Sequence, residues 1–281
     1  MKGLVNWDMI RNLTMPAPLQ DKNNDAISMW DKSASMYDKM AKLEKEYTKN
    51  QINTLILGPN DSVLDVGCGP GRIAVPVAKR VAKVTALDAS AKMLEYCVKN
   101  AKQQGLSNIT PKQIDWNKAN VGVDVEKHDV VIASRSVGLR DIIKLNSAAT
   151  KYVFILSFAQ RPSLKEVQMD LFEGITQEKI KFRSNRMFGY NITFNILYDL
   201  GIDPNVRIVK DGFTRGYSTY EEAYDDLRTL SEVKPEQESL FRDNVNKYLI
   251  KNQDGSVTFR RETKTYIMWW EPQELNLLED I

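Results

Sequence analysis

The chain is poor in the two residues that most often build disulfides and zinc sites. It has two cysteines, Cys68 and Cys97, and one histidine, His128, among 281 residues. Two cysteines cannot form a disulfide framework for a chain of this length, which favours a reducing compartment and predicts a cytoplasmic protein. The same scarcity excludes a metal site of histidines and cysteines. Only an all-carboxylate site stays open, and we predict no bound metal.

Long hydrophobic runs are absent as well. The strongest apolar run is YVFILSFA, at residues 152–159, and it is far too short to cross a bilayer. The first residues, MKGLVNWDMIRNLTMP, lack the apolar segment of a secretory signal. The sequence therefore predicts no membrane span.

Neither sign of charge dominates the sequence. Lysine and arginine number 39 against 37 aspartates and glutamates, and no block of basic residues stands out. A net charge of +2 gives no general attraction to nucleic acid, so a nucleic-acid partner is disfavoured. With 42% hydrophobic residues, the composition is that of an ordinary globular protein.

What the chain does contain is a regular alternation of strand and helix patterns. Short apolar runs typical of strands are SVLDVG, KVTALD, ITPKQID, HDVVIAS and KYVFILSF, and helical patterns such as AKMLEYCVKNAKQQG lie between them. Two further strand patterns, NVRIVKDG and KTYIMWWEP, follow later. Alternation of this kind calls for a parallel sheet covered by helices on both faces, so we predict an α/β, doubly wound fold.

The two ends of the chain depart from this alternation. Residues 1–24 are polar and proline-marked and are expected to form an arm. A helical pattern follows, in which Trp30 and Tyr37 share one face. The predicted divisions are an N-terminal arm and cap helix at 1–50, a main domain at 51–281, and helical insertions at about 160–200 and 214–260.

The stretch VLDVGCGPG, residues 63–71, places a glycine-rich loop directly after the first predicted strand. Glycines let the backbone turn sharply and let a ligand approach without hindrance from a Cβ atom. A dinucleotide loop needs its third glycine where Arg72 stands, whereas here Gly71 comes one residue early. A triphosphate loop needs a lysine that does not follow, and a plain strand-to-helix turn is the simplest alternative.

Asp88 ends the second predicted strand, where a carboxylate can accept hydrogen bonds from both hydroxyls of a ribose. With VTALDAS and KML after it, the loop resembles the first two motifs of class I S-adenosylmethionine-dependent methyltransferases. The acidic-x-Gly-x-Gly-x-Gly pattern of that family is matched here by Asp65, Gly67, Gly69 and Gly71. Within the family, the sequence resembles most the small-molecule enzymes of the quinone-biosynthesis type.

The resemblance carries expectations about fold and activity. It implies a Rossmann-like sheet of seven strands, mostly parallel, with the last strand antiparallel. It implies S-adenosyl-L-methionine as the methyl donor and S-adenosyl-L-homocysteine as the product. The activity would be that of a methyltransferase of EC class 2.1.1, which moves the methyl group by in-line displacement.

By the same resemblance, the glycine loop would hold the methionine part of the cofactor. Gly67, Cys68, Gly69 and Gly71 would pass under it, and Asp65 would anchor its amino group. Cys68 has a simpler interpretation as a small packing residue. The sequence offers it no obvious basic activator, which favours packing over a role as nucleophile.

The adenosine part would be held by residues that follow the next strands. The resemblance assigns Asp88 to the ribose, Ala89 and Met93 to the sides of the adenine, Asp115 to its amino group, Trp116 to its ring, and Ser134 to the point where methionine and substrate meet. Met93 could equally be a core residue, and Trp116 could equally anchor a surface loop.

The acceptor side is assigned from two helix faces and one loop. Tyr37 is a candidate for closing the methyl-transfer pocket, although its ring could simply pack the cap helix on the domain. Arg135, in the loop SRSVGLRD, could bind an acidic group of the substrate or form an ordinary salt bridge with a partner such as Asp141. Asn191 and Asn195 share a helix face that could line the acceptor pocket or pack on the sheet edge.

The function predicted from these features is methylation of a small molecule. No general base is evident, and His128 is interpreted as structural because it begins the fourth predicted strand, away from the cofactor edge. The Asn/Asp-Pro-Pro-aromatic motif of amino-methylating nucleic-acid enzymes is absent, as is the Pro-Cys dipeptide of cytosine methylation. The alternatives are methylation of a protein or RNA partner and non-catalytic binding of S-adenosylmethionine.

Overall fold

The computed structural model describes residues 5–13, 26–176 and 189–275 of the chain. Over these ranges it contains ten α-helices and eight β-strands. The helices are α1 (Trp7–Leu13), α2 (Ala26–Leu43), α3 (Lys45–Ile52), α4 (Ala74–Ala78), α5 (Ala91–Gln103), α6 (Ile142–Ala148), α7 (Leu164–Leu171), α8 (Tyr190–Asp199), α9 (Tyr220–Arg228) and α10 (Glu238–Asn246). The strands are β1 (Ser62–Val66), β2 (Lys83–Asp88), β3 (Ile109–Gln113), β4 (His128–Ser134), β5 (Ala149–Phe158), β6 (Asn205–Tyr217), β7 (Leu249–Lys251) and β8 (Val257–Trp270).

These strands form one sheet, in the order β3-β2-β1-β4-β5-β8-β6, with β7 paired to β8. The strands β1 to β5 pair in parallel, and β8 runs antiparallel to both β5 and β6. The prediction of a mostly parallel, Rossmann-like α/β sheet with an antiparallel last strand is confirmed. All seven predicted strands are present, and β7 is an additional short one.

Both faces of the sheet are covered, which is why its central strands are apolar. In β1 the four residues 63–66 are all buried, whereas a strand with one wet face would alternate. Val63 and Val130 belong to one core cluster, and Leu64 and Val131 belong to another. Because successive residues of a strand point to opposite faces, these clusters are the two layers of the domain.

The strands β6 and β8 continue past the carboxyl end of β5. The pairing of β5 with β8 ends at Phe158 and Thr265, but β8 begins at Val257. Its residues 257–263 remain paired with β6, and β7 pairs with their first part. We call this extension and its helices α7, α9 and α10 the lobe (residues 164–171, 211–251 and 257–264). It lies beyond the carboxyl edge of the parallel strands.

A third core cluster joins the lobe to the cap helix α2. Phe213, Phe241 and Phe259 of the lobe are fully buried in this cluster. Met40 and Leu43, on one face of α2, belong to it as well. The cap helix therefore packs on the lobe as well as on the sheet domain.

The predicted helical segment at 214–260 is wrong at both ends. The strand β6 continues to Tyr217, β8 starts at Val257, and β7 lies between them, so the helices of this segment fall within 220–246. Val257 and Phe259 are buried while their neighbours are less so. This is the two-residue period of a strand, and it outweighs the helical patterns nearby.

The predicted N-terminal arm contains a helix. Of its residues 1–24, the structure describes 5–13, and α1 occupies most of that range. The indole of Trp7 donates a hydrogen bond to Asp199 at the end of α8, at 2.8 Å, so α1 packs on the domain. The rest of the arm lies outside the described residues, as do residues 177–188 of the predicted insertion at 160–200. No helix in the described part of the chain is long and apolar enough to cross a membrane.

Candidate cofactor site

The glycine loop lies at the carboxyl end of β1, where the strand order reverses. The strand β1 has β2 on one side and β4 on the other, and ligands of open α/β sheets bind at such a switch point. The backbone N–H groups of Gly67 and Cys68 donate to the carbonyl of Leu87 at 2.8 and 3.0 Å. These bonds fix the loop to the end of β2.

The three glycines of the loop serve different purposes, although all have positive φ. A Cβ atom on Gly67 would lie 2.5 Å from the Cβ of Ser136, and one on Gly71 would lie 2.9 Å from the Sγ of Cys97. A Cβ on Gly69 would meet nothing nearer than the Sδ of Met93, at 3.9 Å. Gly67 and Gly71 therefore allow close packing, while Gly69 leaves an open face for a ligand.

Asp88 stands beside this open face at the end of β2. Its Oδ2 accepts from the backbone N–H of Gly69 at 2.9 Å, and its Oδ1 accepts from that of Ser90 at 2.9 Å. Burial raises the pKa of its carboxyl, and these two hydrogen bonds oppose the rise. Ala89 follows, and Met93 is a buried residue of α5 whose backbone N–H is capped by the Ser90 hydroxyl. Met93 is thus a core residue that also lies beside the glycine loop.

Asp65, on β1 two residues before Gly67, is an almost fully buried carboxylate. The backbone N–H of Ala74 donates to it, but its Oδ2 has no hydrogen-bond partner among the described residues. Burial raises the pKa of Asp65 to about 7, against the opposing field of Arg72. A buried acceptor without a donor is costly, so this oxygen marks a place where a ligand group fits.

Cys68 packs inside the loop beside Cys97. Both thiols are free and buried. A hydrogen bond with Cys97, burial and the nearby carboxylates of Asp65 and Asp88 all raise the pKa of the Cys68 thiol. A thiol held protonated is a poor nucleophile, which supports the packing interpretation.

Asp115 and Trp116 follow β3 at the same edge. The carboxylate of Asp115 accepts from the backbone N–H of Asn117 at 3.0 Å and stays partly exposed. Trp116 is 1% exposed and belongs to a core cluster, with the Lys144 ammonium 5.2 Å from the centre of its ring. This burial agrees with the alternative that Trp116 anchors the loop after β3. Its contact with an adenine stays a prediction.

Ser134 is the last residue of β4 and lies in contact with Arg72, which follows the glycine loop. The guanidinium of Arg72 donates to the Ser134 hydroxyl at 2.6 Å and to the Gln51 side-chain carbonyl at 2.8 Å. A third contact, to Glu44 Oε2, measures 3.5 Å. Arg72 thus ties the loop to β4 and to α3. Burial and the neighbouring Arg135 lower its pKa, although it remains a cation at neutral pH.

Arg135 comes next, and it forms salt bridges, as one of its two alternatives stated, but with partners other than Asp141. Its guanidinium donates to Glu44 at 2.6 Å, to Asp211 of β6, and to Thr265 at 3.1 Å, not to Asp141. Asp141 instead caps α6 and lies beside Lys144. Arg135 has φ of 53°, a left-handed backbone conformation, and its guanidinium lies among Glu44, Asp211 and Thr265.

The cap helix α2 is fastened to α5 by carboxylates. Asp31 Oδ1 accepts from the Ser90 hydroxyl at 2.5 Å, and Asp38 accepts from Asn100 at 2.7 Å. On the same helix the rings of Trp30 and Tyr37 meet edge to face, with centroids 5.2 Å apart. The shared face is confirmed. Burial, and then the charge of nearby Glu44, raise the pKa of the Tyr37 hydroxyl to about 12.

Asn191 and Asn195 lie on α8, which packs on a core cluster through Ile192 and Ile196. The amide of Asn195 donates to the Asn191 carbonyl at 2.7 Å, one turn back on the same helix. The buried Oδ1 of Asn191 has no partner among the described residues. The helix thus packs on the sheet, and its contribution to an acceptor pocket stays a prediction.

His128 lies at the opposite edge of the sheet, at the start of β4. Its ring contacts the hydroxyl of Thr85 and the carbonyl of Glu126, both at 2.8 Å. Burial lowers the pKa of the imidazole. A neutral ring with both nitrogens engaged agrees with a structural role.

Comparisons with known proteins decide the family. A family model described as "Methyltransferase domain" matches residues 63–152. A protein of Haemophilus influenzae, described only as uncharacterized, is 32% identical over 255 residues, which cover 86% of this chain and 88% of that relative. The chain belongs to the class I S-adenosylmethionine-dependent methyltransferases.

Other similar proteins are more distant. The chain is 31% identical over 101 residues to the 23S rRNA (uracil(1939)-C(5))-methyltransferase RlmD of Legionella pneumophila, but this covers 36% of the chain and only 22% of that enzyme. The solved structure of the YcgJ protein of Bacillus subtilis is 14% identical, with a TM-score of 0.50 over 81% of this chain and 99% of that one. At that identity, the likeness shows the shared fold.

The residues at the edge of this methyltransferase sheet fit the cofactor of the family. The open face at Gly69 leaves room for it, and Asp88 offers carboxylate oxygens where a ribose is expected. The free oxygen of Asp65 is an acceptor for an amino group.

The structure also brings in residues that the sequence prediction missed: Glu44, Gln51, Arg72 and Asp211. Arg72 appeared only as the residue that displaces a dinucleotide glycine. Glu44 and Gln51 are seven residues apart, which is one helix face, but their burial depends on Arg72 and Arg135 arriving from other segments. The only sequence signal for these two residues was weak: they give α3 a polar face where a helix packed on the domain would usually have an apolar one.

Proposed function

We propose that this chain transfers a methyl group from S-adenosylmethionine to a small-molecule acceptor. The observation that carries the proposal is the set of groups along the carboxyl edge. Asp88 lies beside the open face of Gly69, and the partnerless oxygen of Asp65 lies beside the same loop. Together these groups complement a ribose and an amino acid joined through one sulfur.

The cap helix α2 and the lobe lie over the carboxyl edge of the parallel strands, and this arrangement supports a small acceptor. The cap helix packs on α5 and on the lobe, and Arg135 links Glu44 after α2 to Asp211 at the start of the lobe. An acceptor would therefore meet the methyl group between α2 and the lobe. Such a site favours a molecule that enters a crevice over a large folded partner.

The chain would act by positioning. When bound, S-adenosylmethionine supplies a methyl group already activated on a sulfonium, so the protein has to align the acceptor and exclude water. The Arg135 guanidinium lies 3.5 Å from the ring centre of Phe158, and these two groups would form one wall. Tyr37 has a pKa raised to about 12, so its hydroxyl would donate a hydrogen bond and would not take a proton.

A calorimetric titration with S-adenosylmethionine, S-adenosylhomocysteine and NAD tests the donor. We expect the first two to bind and NAD not to bind. The acceptor class is tested with S-adenosylmethionine carrying a tritiated methyl group, added to a cell extract that has been separated into small molecules, protein and RNA. Label in the small-molecule fraction is expected, and binding of NAD alone would refute the proposal.

Methylation of RNA is the second candidate. The observation in its favour is the partial likeness to the rRNA methyltransferase of Legionella pneumophila. Against it stand the balanced charge of the chain and the small part of that enzyme that is matched. Tritium that appears only in the RNA fraction, and is released by ribonuclease, would support this candidate over the first.

A further inference from the structure

The helix α3 turns a buried polar face toward the carboxyl ends of β1 and β4. Glu44, Thr48 and Gln51 are spaced as one helix face, and all three are less than one-tenth exposed. A helix that packs on a domain normally buries an apolar stripe. The hydroxyl of Thr48 is satisfied by the carbonyl of Glu44 in its own helix, at 3.1 Å. The other two side chains reach away from the helix.

Glu44 and Gln51 meet at Arg72. The same guanidinium nitrogen lies 2.8 Å from Gln51 Oε1 and 3.5 Å from Glu44 Oε2. Arg72 is adjacent to Gly71 of the cofactor loop, and its charge acts on Asp65. The polar face of α3 is therefore next to the part of the loop expected to hold the methionine of the cofactor.

Each of these side chains keeps one polar atom without a partner. Glu44 Oε1, Gln51 Nε2 and Asp65 Oδ2 are buried and make no hydrogen bond among the described residues. Two of the atoms are carboxylate acceptors, and the third is an amide donor. Folded proteins seldom leave buried polar atoms unpaired, and a group of them around one arginine indicates that something else pairs with them.

Electrostatics also indicates what such a group would be. The cluster contains two guanidiniums, from Arg72 and Arg135, and three carboxylates, from Asp65, Glu44 and Asp211, of which Asp65 has its pKa raised to about 7 by burial. A positive group beside the free oxygens of Glu44 and Asp65 would stabilise the ionised form of Asp65. A negative group beside the free amide donor of Gln51 and the charge of Arg72 would be accommodated as well.

We propose that the polar face of α3 binds the amino-acid end of the cofactor. Glu44 Oε1 and Asp65 Oδ2 accept hydrogen bonds from its ammonium, and Gln51 Nε2 donates to its carboxylate, next to the charge of Arg72. This deepens the proposed function and depends on it, because it assumes S-adenosylmethionine as the ligand. It assigns half of the cofactor site to a segment outside the glycine loop.

A comparison of three ligands separates this assignment from a general weakening of the site. S-Adenosylhomocysteine carries both the ammonium and the carboxylate. Its decarboxylated analogue keeps the amine alone, and methylthioadenosine has neither group. The affinity of the full chain for each ligand is measured by calorimetry, for the wild type and for the variants Gln51→Met and Glu44→Gln.

The two variants are expected to lose different ligands. Gln51→Met should weaken S-adenosylhomocysteine by about tenfold and leave the other two ligands within about twofold, because only the first has a carboxylate. Glu44→Gln should weaken both amine-bearing ligands by at least about tenfold and leave methylthioadenosine unaffected. If Glu44→Gln does not fold, the Gln51→Met result alone decides the assignment of the carboxylate.

Thr48→Val is the matched control, since it lies on the same buried face but has its hydrogen bond within α3. It should change none of the three affinities. Equal losses for all ligands in Gln51→Met, or no loss for any, would overturn the assignment, because a water-filled or purely structural cluster predicts those results. The assignment would also be overturned if the wild type bound methylthioadenosine as tightly as S-adenosylhomocysteine. A wild type that binds none of the ligands refutes the proposed function itself.

Discussion

The cofactor loop and the polar cluster above it are neighbours, yet they are held together in opposite ways. The hydrogen bonds that fix the loop come from backbone groups and from Asp88, within one strand-helix-strand unit, and Gly67 also packs on Ser136. The cluster is fixed by side chains that come from α3, from the ends of β1 and β4, and from β6 and β8. The loop is therefore a local structure, whereas the cluster exists only when the whole fold is assembled.

The difference predicts how each part responds to substitution. A local loop fails through backbone strain or steric clash at one position. A buried cluster of charges fails as a unit, because removal of one member leaves the others uncompensated in the interior. The largest losses of stability should therefore come from the cluster, and substitutions in the loop should cost less.

Arg135→Met is expected to have the largest effect. It would leave Glu44 and Asp211 without their shared cation, and the loss of one partner from a buried ion pair costs about 3–5 kcal/mol. The measurement is the free energy of unfolding by urea. Arg242→Met is the control, since Arg242 pairs with Glu221 and Glu238 at the surface, where water screens charge. Similar losses in both variants would mean that the cluster is no more cooperative than a surface network.

Gly67→Ala should come second. The added Cβ would lie 2.5 Å from the Cβ of Ser136, in a backbone conformation that alanine disfavours, so a loss of about 2–4 kcal/mol in unfolding free energy is expected. Gly216→Ala is the matched control, because nothing lies within 4 Å of the added atom. Its stability should stay within about 0.5 kcal/mol of the wild type. A loop that accepts alanine at Gly67 would not be packed as described.

Asp88→Ala tests the loop for binding. The side chain orders Gly69 and Ser90, and by our proposal it also binds the ribose. We expect the affinity for S-adenosylhomocysteine to fall by about 1–3 kcal/mol, measured by calorimetry. Asp254→Ala, in an exposed turn, should leave it unchanged. Wild-type affinity in Asp88→Ala would show that the ribose lies elsewhere.

The loop could be predicted from the sequence better than the cluster, because the loop is local in sequence and the cluster is not. The loop and Asp88 could be located because glycine spacing and a strand end are local patterns. Glu44 and Asp211 could not, since they are 91 and 76 residues away from Arg135, and no periodicity records which distant helix or strand will approach. The lobe was missed in part because β6 runs on through residues 213–217 beside segments with helical patterns.

The expected effect with the clearest sign is the pH dependence of Asp65. Burial raises its pKa to about 7, while an unfolded aspartate titrates near 4. As the pH rises from about 4 to 7, the unfolded state releases this proton first, so the group lowers the stability of the ligand-free protein over that range. The proposed ammonium contact needs the ionised carboxylate, so the affinity for S-adenosylhomocysteine should rise about tenfold from about pH 6 to about pH 8.

Asp65→Asn should remove both dependences, and the two observables should move in opposite directions. At about pH 8 the variant should unfold at a higher temperature than the wild type when no ligand is present, because an amide carries no buried charge. At the same pH it should bind S-adenosylhomocysteine more weakly, because it has lost the charge opposite the ammonium. If stability and affinity fell together, Asp65 would be a structural member of the cluster. If stability rises while affinity falls, Asp65 belongs to both the loop and the cluster. Its buried charge then destabilises the ligand-free protein and is stabilised by the ammonium of the bound cofactor.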